Sequence, residues 1–322
     1  MKKVLYMAGR VFLGFLLAIF LFILFELLIS KYGLTTSHYE IATARVGQSI
    51  RIVQLSDLHN SKFGKNNKRL VAKVRGEEPD LILITGDLLN AKTDEGTEIA
   101  ENLIRSLSDV APVYVSYGNH EKDYEEKSGQ DLTKVFTAAG ATVLERSYVD
   151  IEVKGQAIRL GGIYGYCQNF KYAQETKRED ESAFLLDFQN TERYTILMAH
   201  MPHCWLKEGS LCDWDVDLVF SGHTHGGQVR IPGKGGLWAP DQGWFPGILE
   251  GVYSTTEEEW AETRQSLYEY GNADFVDNSY YEEERTYKPS YLVLSRGLGS
   301  TEKIPRFNNV PEVVVTDIVP AE

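Results

Sequence analysis

Six of the seven histidines fall among short motifs that also hold acidic or amide side chains: Asp57-Leu58-His59, Gly86-Asp87, Gly118-Asn119-His120-Glu121, Ala199-His200-Met201-Pro202-His203 and Gly222-His223-Thr224-His225. Only His38 lies outside them. Imidazole is the commonest protein metal ligand, and a chain that places nearly all its imidazoles beside Asp and Asn is most simply read as building a metal centre. The donors are nitrogen and oxygen with no thiolate, a set compatible with Mn, Fe, Zn or Co.

The elements that must position these residues are legible from periodicity. Ile50 to Leu55 is a short apolar run ending at Ser56-Asp57, Leu81 to Thr85 a second ending at Gly86-Asp87, and Val113 to Tyr117 a third ending at Gly118-Asn119. Such runs read as buried strands. Leu70, Val71 and Val74, then Ile99, Leu103, Ile104 and Leu107, recur at helical spacing between them. The order is therefore strand, helix, strand, helix, strand, with each motif where a strand finishes. Ligand sites of open α/β sheets gather outside the carboxyl ends of the strands, so period and motif point to the same place. Shorter strands are expected at Val149 to Val153, Ala157 to Ile163, Tyr194 to Ala199 before His200, Leu218 to Phe220 before His223, Tyr291 to Leu294 and Val313 to Ile318. Periodicity alone supports a mixed α/β class.

The motif order resembles the calcineurin-like metallophosphoesterase superfamily over residues 50 to 318. Two segments are similar to its bacterial, membrane-anchored branch, which includes phosphodiesterases and UDP-2,3-diacylglucosamine pyrophosphatase-type enzymes. They are Ser221 to Gln228 with Pro232 and Gly233, and Ser295 to Gly299 followed by Pro305 to Asn309 and Pro311-Glu312. Ala199 stands before His200 where many members carry Gly; the ligand would be the His200 side chain, so the metal is unaffected. The resemblance implies a four-layer αββα sandwich. It also implies two divalent ions (Mn, Zn or Fe): Asp87 touches both, Asp57, His59 and His225 complete one site, and Asn119, His200 and His223 the other. His120 would not bind metal; it would donate a proton to the leaving oxygen or stabilise phosphoryl charge. Glu121 is expected to orient the His120 imidazole.

Two ions about 3.5–4 Å apart suit hydrolysis of an anionic phosphoester, because they neutralise its oxygens and supply hydroxide near neutral pH. The bond cleaved would be a phosphodiester or a pyrophosphate, a UDP-linked acylated sugar being the glycolipid alternative. A protein-interaction or envelope-binding module without catalysis is the reading from another class, and the intact ligand set argues against it. Other residues keep two readings each. His203 contacts substrate or only shapes a loop; Arg296 and Arg306 clamp phosphate or form structural ion pairs. Asn60 and Asn90 bond phosphate or shape turns, and Trp238, Trp244 and Phe245 wall the pocket mouth or are ordinary core or loop anchors. Gly222, Gly226 and Gly227 permit tight backbone near the ions.

From Val11 to Phe25 no residue is polar, and after Glu26 the run resumes through Ile29. Nineteen residues at 1.5 Å each span roughly 28 Å, a bilayer's hydrocarbon thickness. A cleaved signal peptide is the alternative, but the run exceeds a typical h-region and no A-x-A-like site follows it. We read a cytoplasmic N-terminus at 1–10, a transmembrane anchor at 11–30, a polar connector at 31–48 and a catalytic domain at 49–320 with an acidic insertion at 254–288. Lys2, Lys3 and Arg10 precede the span while only Lys31 closely follows it, which places the domain outside the cytoplasm. The net charge of −13 argues against nucleic acid as a partner; the partners expected are a phosphoester substrate, from the lipid or envelope, and the membrane. Between Ser254 and Lys288, ten acidic residues face three basic ones, giving −7. Three cysteines without CxxC spacing suggest neither a disulfide framework nor a thiolate site, and their odd number leaves at least one unpaired.

Overall fold

The computed structural model describes residues 2–91, 96–164, 179–207, 209–270, 286–300 and 305–321. Two six-stranded sheets form the centre. The first has the order β1-β16-β2-β3-β4-β5, from strands Thr35–Thr43 (β1), Ile50–Leu55 (β2), Leu81–Thr85 (β3), Val113–Ser116 (β4), Ala141–Val143 (β5) and Glu312–Pro320 (β16). The second has the order β14-β15-β9-β8-β7-β6, from Ser147–Val153 (β6), Gln156–Ile163 (β7), Tyr194–Ala199 (β8), Leu218–Ser221 (β9), Gly251–Ser254 (β14) and Tyr291–Leu294 (β15). The parallel runs β2-β3-β4-β5 and β7-β8-β9-β15 form the body of each sheet.

Strand alternation sorts the apolar side chains into three interlayer cores, and three interfaces make four layers. In β3, Ile82 and Ile84 face the helices Lys68–Gly76 (α2) and Glu98–Ser108 (α3), while Leu81 and Leu83 face the other sheet. In β8, Ile196 and Met198 meet them in that central core, and Leu197 and Ala199 face outward with Trp205 and Trp214. All five β3 side chains are buried, as a strand covered on both faces requires. The αββα sandwich implied by the resemblance is the observed one.

The segment read as a connector is instead partly structural. Thr35 to Thr43 pairs parallel with β16 along its length, so the chain entering from the N-terminal helix becomes an edge strand. Its polar composition hid it, because its side chains are mostly exposed or half-buried. The apolar N-terminus is one helix, Lys2–Tyr32 (α1), holding a 27-residue candidate membrane span of mean hydropathy 2.9 with none of its most apolar window buried. In the acidic insertion, Glu257–Tyr270 form a helix; residues 271–285 lie outside the described residues. Cys212 is a buried free thiol and Cys204 is disulfide-bonded, a bond the spacing did not announce; Cys167 lies outside the described residues.

Candidate metal centre

The carboxyl ends of both parallel runs meet at one edge of the sandwich. The Gln54 amide crosses between the sheets there, donating to Thr85 Oγ1 at 2.9 Å and to the Ser221 carbonyl at 2.8 Å. Beyond the strand ends the backbone turns sharply. Asp57, His59, Asn60, Asp87, His223 and His225 all hold positive φ, between 46° and 71°. Asp, Asn and His are the side chains that best tolerate this region, and its cost of about 1–3 kcal/mol each persists only where surrounding structure enforces it. Here the loops lock one another: Asp57 N–H donates to the Gly86 carbonyl at 3.1 Å and His59 N–H to the Asp87 carbonyl at 3.0 Å. Gly86, at φ +82°, could carry no side chain, since a Cβ would lie 2.5 Å from Gly118 N and 2.8 Å from His200 Nδ1.

Seven side chains expected to bind metal converge on this edge. Asp57, His59 and His225 bring donor atoms within 4.8 Å of one another, and so do Asp87, His200 and His223. Asn119 is the first residue of the helix Asn119–Ser128 (α4), and its buried Oδ1 has no hydrogen-bond partner. These groups form two adjacent candidate half-sites. Asp87 lies between them: Oδ1 accepts from His120 N–H at 2.9 Å, while Oδ2 sits 3.2 Å from His200 Nε2 and 3.6 Å from His59 Nε2. Asp57 accepts from His223 N–H at 3.1 Å and lies 3.8 to 4.0 Å from the Nε2 atoms of His59, His225 and His200.

Tautomers follow from the partners. His59 Nδ1 lies 3.1 Å from the Leu89 carbonyl and His200 Nδ1 lies 2.7 Å from the Thr85 carbonyl. A carbonyl only accepts, so each Nδ1 carries a proton and Nε2 is the nitrogen whose lone pair, in the neutral ring, faces the centre. Both Nε2 atoms are buried without a hydrogen-bond partner, which is the condition of a ligand atom and an expensive one otherwise. His223 places Nε2 3.0 Å from the Asp241 carboxylate, the kind of contact that orients a ligating imidazole. His120 is the opposite case. Its Nδ1 accepts the Ala91 N–H at 3.0 Å, so its neutral ring must carry the proton on Nε2. That proximity to His59 and Asp87 would admit it as a third ligand group, but a protonated Nε2 has no lone pair to give.

The electrostatics ask for a cation. Burial would raise the Asp87 carboxyl, yet the neighbouring His200 imidazole holds it well below the usual range. Burial opposes charge on His200 too, and the Asp87 carboxylate lifts it to about 10. Burial pushes His59 down to about 3 and His225 well below its ordinary value. Two buried carboxylates beside the neutral imidazoles of His59 and His225, each with an unpartnered ring nitrogen, are satisfied by divalent ions that would take the place of the proton His200 now shares with Asp87. The residues fit the metals the resemblance implies.

Glu121 does not meet the expectation that it orients His120. Its Oε2 accepts Asp87 N–H at 2.7 Å and Gly118 N–H at 2.8 Å, and its Oε1 accepts Leu89 N–H at 3.1 Å. The carboxylate fixes the backbone of the Asp87 loop and closes the first turn of α4, and Ala91 N–H is what meets the His120 ring. Burial, then the Asp87 charge, raise Glu121 to about 7. Arg296 is a structural ion pair, 2.8 Å from Glu250 and 3.1 Å from Glu312. Arg306 is 5% exposed and donates through Nε to the Gly299 carbonyl and through Nη2 to the Arg296 carbonyl; burial lowers it to about 10. Asn60 and Asn90 are buried, and His203 opens the short helix His203–Lys207, outside the three donor groups. Trp238, Trp244 and Phe245 are exposed rather than core. Asp241 was not anticipated, since it lies 16 residues from His225 in a segment without a motif.

A two-sheet α/β sandwich that gathers N/O donor clusters at one edge is suited to holding divalent metal ions. The sequence profile of the calcineurin-like phosphoesterase family matches residues 50–227, and the chain belongs to that family. It is 27% identical over 270 residues to the Bacillus subtilis metallophosphoesterase YkuE, covering 82% of this chain and 77% of that one. It is 28% identical to the Escherichia coli phosphodiesterase YaeI, over 59% of this chain and 66% of that one. A zebrafish transmembrane protein with a metallophosphoesterase domain is 29% identical, over 59% of this chain and 44% of its own length. A Thermus thermophilus 5'-nucleotidase precursor superposes with a TM-score of 0.45 at 11% identity, over 84% of this chain and 54% of that one.

Proposed function

We propose that this chain is a membrane-anchored phosphodiesterase holding two divalent ions. The observation that carries this reading is Asp87 Oδ2, poised between the presented nitrogens of His59 and His200. Asp57, His59 and His225 would hold one ion and Asn119, His200 and His223 the other, with Asp87 available to both. When bound, the ions neutralise phosphate oxygens and make hydroxide available near neutral pH. His120 donates its Nε2 proton to the leaving oxygen, its ring held by Ala91 N–H. Glu121 acts through the backbone, holding Asp87 and Gly118 in register.

The diester, rather than a pyrophosphate, is favoured by the similarity to a protein named a phosphodiesterase. Manganese, zinc or iron suits the donor set. Anchoring rests on α1, and an extracytoplasmic domain on the placement of Lys2, Lys3 and Arg10. An outward face counts against a UDP-linked lipid made on the cytoplasmic side. The test is full-length protein, stripped by a chelator and reloaded with each metal, assayed on bis-nitrophenyl and nitrophenyl phosphate with bound metal counted. Turnover should vanish on stripping, return with two ions per chain, and favour the diester. Turnover that survives complete metal removal would refute the reading, and preference for the monoester would overturn the diester assignment.

A further inference from the structure

Outside α1, the exposed large apolar side chains among the described residues are Leu186, Trp238, Trp244, Phe245 and Val252, and three of these five fall within eight residues. They belong to a two-stranded ribbon, Trp238–Ala239 (β12) with Gly243–Trp244 (β13), which follows the smaller ribbon Arg230–Ile231 (β10) with Gly235–Gly236 (β11). Trp238 and Trp244 are directly paired across the ribbon, so their indoles share a face. Trp244 is 69% and Phe245 58% exposed, and Phe245 holds φ at +54°, a strained conformation for a bulky residue. Burying two indoles and a phenyl ring would be worth several kcal/mol, so this exposure in water is an unspent contact.

What covers it is indicated by the anchor. Residues Val11 to Phe25 of α1 are exposed, Glu26, Leu27 and Ile29 are half-buried, and Ser30 is buried. The domain thus begins to cover the helix at its last turn, where the hydrocarbon must end. Ser30 Oγ accepts Asn309 N–H at 3.2 Å, and the Asn309 amide donates to the His225 carbonyl at 2.7 Å and the Gln228 carbonyl at 3.2 Å. Leu237 N–H in turn bonds the Gly227 and Val229 carbonyls on either side of Gln228, and Phe245 N–H bonds the Leu237 carbonyl at 2.9 Å. Anchor end, metal-site loop and aromatic ribbon are therefore joined by one short run of hydrogen bonds, and Asp241 at the ribbon's turn reaches His223.

We propose that the Trp238–Phe245 ribbon is a second membrane contact, which seats in the interfacial zone of the bilayer beside the end of α1 and holds the metal-centre edge of the domain against the membrane. Trp is the residue that partitions to that zone, its ring apolar and its N–H still wet. The inference rests on α1 spanning the membrane.

The test uses the full chain in proteoliposomes made with ordinary or tail-brominated phosphatidylcholine, read by tryptophan emission. Residues 1–32 contain no tryptophan, so any quenching reports on the domain. Trp205 and Trp214 are buried in the outer core. Emission from the wild type should fall in brominated vesicles. The fall should be largely lost in Trp244→Ser/Phe245→Ser and reduced in Trp244→Phe, and should persist in Trp260→Phe. Equal emission in the two lipids, or quenching unchanged in Trp244→Phe and the double variant, would overturn the proposal. Release of the chain by alkaline carbonate would fail the anchor reading itself, whereas retention without quenching fails the ribbon alone.

Discussion

Replacing His120 by Asn isolates one nitrogen. The Asn Oδ1 reaches about where imidazole Nδ1 stood and can still accept the Ala91 N–H, now 3.0 Å from the ring, while nothing replaces Nε2. The loop geometry and its backbone bond to Asp87 at 2.9 Å are main-chain features that the change leaves intact. The lost quantity is therefore the proton donor, and a positioned general acid is worth roughly 10²- to 10⁴-fold. At 1.36 kcal/mol per decade this is about 2.7 to 5.4 kcal/mol of barrier. The assay is turnover of a series of phosphodiesters graded by leaving-group pKa, with metal content measured on the same preparations. The penalty should be small for nitrophenolate, which needs little protonation, and grow toward alkyl leaving groups, with both ions retained. Loss of an ion would make His120 a ligand with His59 and Asp87, the arrangement their proximity alone would allow. A penalty equal across leaving groups would remove the general-acid role.

Asp87→Asn should keep the Oδ1 acceptor for His120 N–H but put an amide nitrogen where Oδ2 faces both half-sites; turnover should fall by several orders of magnitude and bound metal by at least one ion, measured by elemental analysis. Glu121→Gln turns one carboxylate oxygen into a donor facing backbone N–H groups already 2.7 to 3.1 Å away; each group left unsatisfied costs about 1–3 kcal/mol, read as a lower thermal midpoint that wild-type metal loading does not restore. Protease added to intact spheroplasts should digest the domain beyond α1, and protection until lysis would reverse the orientation.

Most strands were legible because a strand buried on both faces must be an apolar run of a definite length, and Ile50–Leu55, Leu81–Thr85, Tyr194–Ala199 and Tyr291–Leu294 end where the apolar runs end. The candidate ligands were legible for a related reason: a metal centre needs donor side chains on turns, and His, Asp and Asn beside Gly stand out against the strands that precede them. β1 was not legible, since an edge strand with mostly exposed and half-buried side chains carries no apolar period. Nor was the work of Glu121, because backbone N–H groups are present at every residue and no side-chain pattern says which three will converge on one carboxylate. The tautomers of His59, His200 and His120 belong to the same class. Sequence supplied the imidazoles, and the fold decided, by setting a carbonyl or an N–H against each Nδ1, which nitrogen presents a lone pair and which a proton. The join between Ser30, Asn309 and the His225 loop spans 279 positions of sequence. Only packing brings such positions together, because the interactions that place them are made with the rest of the sandwich and not with their neighbours in the chain.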